Sequence, residues 1–157
     1  MTGFRRGVRI GIDVGRARIG VARCDPDGML AVPVETVTRD DASIARISDI
    51  VAEHEPLEVV VGLPVNLQGA DTASTTDARD FAAALADRLG LPIRLVDERL
   101  STVTAHAALR SSGRTQKNSR SIVDQVAAVV LLQQAIDTEK STGNPPGATI
   151  PLDEESP

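Results

Sequence analysis

The stretch RIGIDVGRARIGVARCD, Arg9 to Asp25, decides how the chain is read. Val8, Ile10 and Ile12 alternate at the period of two that marks a strand with one face in a core. The run ends on Asp13, and Gly15, Arg16 and Arg18 follow at once. A carboxylate at the rim of a core, beside that much positive charge, needs a physical reason. Arg18–Asp25 is a second extended run, and DPDG (Asp25–Gly28) is a tight-turn sequence leading to a third, Met29–Thr38. The second and third runs therefore read as a hairpin.

Downstream the pattern changes to alternating helices and strands. DDASIARISDIVAEH places Ile44, Ile47, Ile50 and Val51 at helical spacing, and LEVVVG (Leu57–Gly62) is a short, continuously apolar run typical of a buried strand. The loop LPVNLQGADTAS leads to a second helix with Phe81, Leu85 and Leu89 on one face, stopped by Gly90. PIRLVDE (Pro92–Glu98) is a further strand. A third helix is expected from about Ser101 to Ser111, then a basic loop, then a long apolar helix from Ile122 to about Ile136. The order βββ-α-β-α-β-α-α implies an α/β domain, a mixed five-stranded sheet with helices on both faces. That domain takes residues 1–137; residues 138–157, acidic and containing Pro and Gly, are expected to be a disordered tail.

Composition narrows the classes. A chain of 157 residues can bury roughly 70% of its unfolded surface in one domain without disulfides or structural metal. Its one cysteine, Cys24, excludes a disulfide framework and a CxxC zinc site, and reads as a small strand residue. No apolar run approaches the roughly 18 residues of a membrane span, and MTGFRRG lacks a signal peptide's apolar region, so a cytoplasmic location is expected. The net charge of −5 argues mildly against a nucleic-acid partner, but it is unevenly spread. In the tail, Glu139, Asp153, Glu154 and Glu155 against Lys140 give −3, which leaves −2 for the body. Residues 1–24 hold six arginines and one acid, and residues 110–120 hold Arg110, Arg114, Lys117 and Arg120 with no acid. Screening limits each charge to about 8–10 Å, so such patches can attract phosphate whatever the total.

Asp13 and Glu98 both fall at C-terminal strand ends, where open α/β sheets place their ligand crevice. Asp124 stands near the start of an otherwise apolar helix, IVDQVAAVVLL. Three carboxylates from separate elements repel one another unless divalent cations lie between them, and all-oxygen sites suit Mg²⁺ or Mn²⁺. Two such ions can stabilise both the attacking and the leaving oxygens of a phosphodiester. Each acid also has a plainer explanation. Asp13 could cap the turn DVGRARIG, and Asp97 and Glu98 could form a solvated strand end. Ser121 to Asp124 spells a capping box that would place Asp124 in a first helical turn. His54 and His106 are isolated by spacing and read as surface or packing residues.

The wording around these acids is more specific than their spacing. GIDVGRARIGVA (Gly11–Ala22), VVVGLPVNLQG (Val59–Gly69), VDERLST (Val96–Thr102) and VDQVAAVVLLQ (Val123–Gln133) occur in the order found in the YqgF family, which residues 7–137 resemble. Members are RNase H-like proteins described as Holliday junction resolvases and linked to maturation of the ribosomal RNA precursor. The resemblance implies an RNase H-like nuclease domain with Asp13, Glu98 and Asp124 as catalytic and metal-binding acids, and Asp97 in reserve for the middle position. It implies Mg²⁺ or Mn²⁺, two ions, and hydrolysis by an activated water leaving a 5′-phosphate and a 3′-hydroxyl. Arg18 matches the family's arginine before IG, while Ala17 stands where many members have lysine and Arg16 lies alongside. Arg16 and Arg18, with the basic segment's Arg110, Arg114, Lys117 and Arg120, are the candidate nucleic-acid contacts. With no Trp, no Tyr and two Phe, stacking on bases is nearly unavailable, which favours recognition of backbone and shape. Branched DNA is the expected substrate, cut in pairs by a homodimer. The alternatives are processing of the 5′ end of precursor 16S ribosomal RNA and a non-catalytic nucleic-acid-binding module.

Overall fold

In the computed structural model, residues 4–64, 70–97 and 116–150 are described, with side chains from 125 onward in the last of these segments. Burial along the first strand, β1 (Arg9–Val14), does not alternate: Arg9, Ile10, Gly11 and Ile12 are all buried, because helices cover both faces of the sheet. The remaining elements are β2 (Arg18–Cys24), β3 (Ala31–Thr38), α1 (Ser43–His54), β4 (Glu58–Leu63), α2 (Ala73–Leu89), β5 (Ile93–Asp97), α3 (Gln116–Thr142) and β6 (Ala148–Thr149). They form one sheet in the order β3-β2-β1-β4-β5-β6. β1, β4 and β5 are parallel, and β2, β3 and β6 are antiparallel to their neighbours. The hairpin turn forms as expected, with the Asp25 carboxylate accepting from the backbone N–H groups of Asp27, Met29 and Leu30.

Two cores result. On one face Ile10, Ile12, Val59, Val61 and Ile93 pack beneath α1 and α2, with Ile47, Ile50, Phe81 and Leu85 above them. On the other, Ala22, Cys24, Ala31 and Val60 pack beneath α3 through Ala128, Leu131, Leu132 and Ile136. Small residues bring α3 close. A Cβ built on Gly11 would lie 2.8 Å from Leu132 Cβ and 3.1 Å from the Ala128 carbonyl oxygen, so the helix can rest here only on a glycine.

Three differences from expectation have physical causes. The sheet has six strands instead of five, because Ala148 and Thr149 pair with Leu95 and Arg94. α3 begins at Gln116, inside the segment expected as a basic loop, and continues to Thr142 past the last apolar residue, Ile136. No glycine or proline interrupts residues 114–142, and a started helix propagates at little cost. Hydropathy missed the last turns because the buried stripe continues there as a charge, Glu139, only 1% exposed. Glu139 accepts from Arg5 Nε and backbone N–H, both at 2.9 Å, and from Arg9 Nη2 at 3.1 Å. Arg5 and Arg94 also bond Glu58, so this end of the sheet is closed by a network of three arginines and two glutamates, buried except at Arg5. The expected helix at 101–111 lies outside the described residues. No helix among the described residues is long and apolar enough to cross a membrane.

Candidate active site

Asp13 lies one pleat beyond Gly11 on β1 and shares its face, the one beneath α3. It is half-buried. In register beside it stand Gly20 on β2 and Gly62 on β4. Residues paired in register point to the same face, so neither strand beside Asp13 sets a side chain in register with its carboxylate. The row continues to Thr36 on β3 and Val96 on β5. The glycines of IGVA and VVVGLP thus stand in register with one acid at the C-terminal end of the parallel strands, where α/β sheets bind ligands.

α3 runs antiparallel to β1: Glu139 meets Arg9 at the start of the strand, and Leu132 and Ala128 lie over Gly11. Asp124 comes one helical turn before Ala128, toward the end of β1 that bears Asp13. An anchor at this point is Gln125, whose Nε2 donates to Thr36 Oγ1 at 2.7 Å, on the Asp13 row itself. The capping-box explanation of Asp124 fails, since α3 starts at Gln116 and Asp124 opens its third turn. Asp97 shares the opposite face with Ile93 and Leu95, beneath α1 and α2, and is exposed. It therefore does not share a face with Asp13. Glu98, Arg110 and Arg114 lie outside the described residues, and for Asp124, Lys117 and Arg120 only the helical backbone is described. Among the described residues no group of three or more His, Cys, Asp and Glu comes together as a metal site.

The turn after Asp13 is tightly built. Gly15 N–H donates to the Arg18 carbonyl at 2.9 Å, and a Cβ on Gly15 would lie 2.5 Å from that oxygen. Arg16 is exposed at the tip and Arg18 is half-buried at the start of β2. The positive charge of residues 1–24 is less available than the sequence suggests. Arg5 and Arg9 belong to the arginine–glutamate network, and Arg6 pairs with Asp27 at 2.7 Å. Sequence reasoning also missed Arg39, which donates to the Gly15 carbonyl and pairs with Asp77 on α2. No local signal marks that pair, because 38 residues separate its members. Cys24 is buried in the core beneath α3, and burial pushes its thiol up.

Known proteins resemble the chain at two levels. The family described as "RuvX: Holliday junction resolvase" matches residues 7–138. A protein of Leifsonia xyli subsp. xyli named "Putative pre-16S rRNA nuclease" is 57% identical over 149 residues, covering 94% of this chain and 96% of its own. One of Clavibacter michiganensis subsp. michiganensis with the same name is 53% identical over 157 residues, covering 98% of both chains. Among solved structures, RuvC of T. thermophilus in complex with Holliday junction substrate superposes with a TM-score of 0.56 at 18% identity, over 88% of this chain and 99% of that one. That likeness establishes the expected RNase H-like fold.

Proposed function

We propose that this chain, which belongs to the RuvX family of Holliday junction resolvases, hydrolyses phosphodiesters in branched DNA at the Asp13 row. The observation that carries the reading is the half-buried Asp13 carboxylate, flanked in register by Gly20 and Gly62, with α3, the helix that contains Asp124, packed across the same face of the sheet. Glu98 is the third acid. Asp97, on the face beneath α1 and α2, does not share a face with Asp13, which favours its neighbour in sequence for that role.

An all-carboxylate donor set beside two in-register glycines fits a hard divalent cation, Mg²⁺ or Mn²⁺, and Asp13, Glu98 and Asp124 would hold it. Such ions, two in number, would activate a water at neutral pH and offset charge on the phosphate. The backbone at Asp13 is fixed by the ladders to β2 and β4, which would hold the base of its carboxylate in place before substrate arrives. Arg16 and Arg18 flank the row and would hold the phosphate backbone, as would Lys117 and Arg120 on the first turns of α3 and Arg110 and Arg114 before it. Paired cuts in a junction would require a two-fold dimer.

The names of the relatives favour a second reading, trimming of the 5′ end of precursor 16S ribosomal RNA. The test is to offer a four-way DNA junction, linear duplex and precursor 16S RNA with Mg²⁺ or Mn²⁺, each beside Asp13→Asn. Symmetric junction cuts lost in Asp13→Asn support the first reading. Selective RNA trimming replaces it with the second. Binding without any cleavage would make the chain a non-catalytic nucleic-acid-binding module.

A further inference from the structure

Behind the β1–β2 turn lies a cleft of about 580 Å³ lined by Arg16, Arg39, Ala73, Thr76, Asp77 and Asp80. It opens at the same end of the sheet as Asp13, but on the side of α2. Arg39, just past the end of β3, is held there from four directions. Its guanidinium donates to both Asp77 oxygens, at 3.0 and 2.9 Å, and Nη1 also donates to the Gly15 carbonyl at 2.9 Å. Its Cζ lies over the Phe81 ring, 4.8 Å from the centroid. Its backbone N–H donates to the Ala17 carbonyl at 3.0 Å. The carbonyls on either side of Arg16 are thus both held by one residue, and that residue is itself braced by α2.

The pairing is strong for a partly exposed position. A bidentate guanidinium–carboxylate pair is planar and directional, and stacking on an aromatic face removes further freedom from the arginine. The hydrogen bond from Arg39 holds the Asp77 carboxyl below its ordinary range against the opposing effect of burial, and the charges of Arg39 and Arg16 add to it. Arg16 lines the same cleft as Arg39 and Asp77 while its side chain stays exposed, so Asp77 feels both arginines.

We propose that Arg39 is a positioning residue for the nuclease site: braced by Asp77 and Phe81, it fixes the Gly15–Ala17 turn and so presents Arg16 to the phosphate backbone of the substrate. The inference rests on the functional reading above for the identity of what Arg16 meets. Asp13 is held independently, by its ladder pairs with Gly20 and Gly62. Loosening the turn therefore acts on substrate binding and leaves the chemical step alone.

The experiment compares Arg39→Met, Asp77→Asn, Arg16→Ala and the double variant R16A/R39M. For each it measures the folded fraction, the kcat and KM on the preferred substrate, the Kd for that nucleic acid, and hydrogen exchange at the Gly15 amide. Arg39→Met and Asp77→Asn are each expected to raise KM and Kd roughly five- to tenfold, the scale of one charge-assisted contact, with kcat within about twofold of the parent. Gly15 exchange should quicken in both. R16A/R39M should bind no worse than Arg16→Ala, because the clamp works only through Arg16. Additive losses in the double variant would overturn the proposal, as would unchanged exchange at Gly15. A fall in kcat that tracks the folded fraction, with KM constant, would reduce Arg39 to a structural role. If the parent chain cuts nothing, the functional reading fails, and the exchange and Kd measurements still decide the clamp.

Discussion

Replacing Glu139 with Gln should remove about 3–5 kcal/mol of folding stability, the cost of breaking one side of a buried ion pair. Glu139 is 1% exposed and Arg9, also 1% exposed, donates to it from Nη2. The neutral amide keeps the shape of the carboxylate but leaves Arg9 buried without its counter-charge and deprives Arg5 of its closest partner, 2.8 Å away. Protonation offers an independent route to the same figure. Burial alone would push the Glu139 carboxyl up, but the Arg5 side-chain and backbone bonds and the charge of Arg9 hold it down at about 2, against an ordinary value of 4.5. A carboxyl depressed by folding stabilises the native state above its unfolded pKa and loses that contribution as pH falls toward the folded value. At 1.36 kcal/mol per unit the contribution is about 3 kcal/mol, present above pH 4.5 and lost between about 4.5 and 2. The assay is urea unfolding at pH 7 and at steps down to pH 2.5 for the parent and Glu139→Gln. With a slope of about 2 kcal/mol per molar urea, the pH 7 midpoint should drop by roughly 1.5–2.5 M. The difference between the two proteins should then shrink as the pH falls through 4.5. A midpoint shift below about 0.5 M, or a difference constant across that window, would refute the reasoning and show that solvent reaches the pair.

Gly11→Ala forces a methyl to within 2.8 Å of Leu132 Cβ, and overpacking of this kind costs about 1–3 kcal/mol, readable as a lower thermal midpoint. The same variant should lose cleavage beyond its loss of folded protein, since α3 carries Asp124 away from the Asp13 row as it lifts. Glu98→Gln should abolish turnover as Asp13→Asn does, while Asp97→Asn should stay within about threefold of the parent; the opposite ranking would exchange their roles. Chelation of divalent cations should stop cleavage and added Mg²⁺ or Mn²⁺ restore it, with little change in the circular dichroism of the fold, because both cores are built from apolar side chains.

Local pattern was enough for most of the strands and two of the helices. The apolar alternation of β1, the DPDG turn and the continuous run of β4 are short-range signals, each set by a few neighbouring residues and by what their backbones can adopt. The three candidate acids also stood out locally, because a carboxylate beside an apolar run is costly unless something compensates it. Helix ends and charges were another matter. Apolar periodicity placed the end of α3 at Ile136, while the tertiary structure continues it to Glu139 and beyond by supplying Arg5 and Arg9 from the other end of the chain. A buried charge is invisible to hydropathy until its partner is known.

The same holds for the site. From the sequence, Asp13, the alternation that separates Asp97 from Glu98, and the basic character of residues 1–24 could all be read, since these depend on residue type and on the period of two. Only the tertiary structure decided which of those arginines are spent inside the protein, that Gly20 and Gly62 flank Asp13, that Asp124 sits within a helix instead of capping it, and that Arg39 and Asp77 hold the turn. Each of these is a pairing between segments far apart in the chain. Strand register and helix seating select such pairs, and neither exists before the sheet has formed.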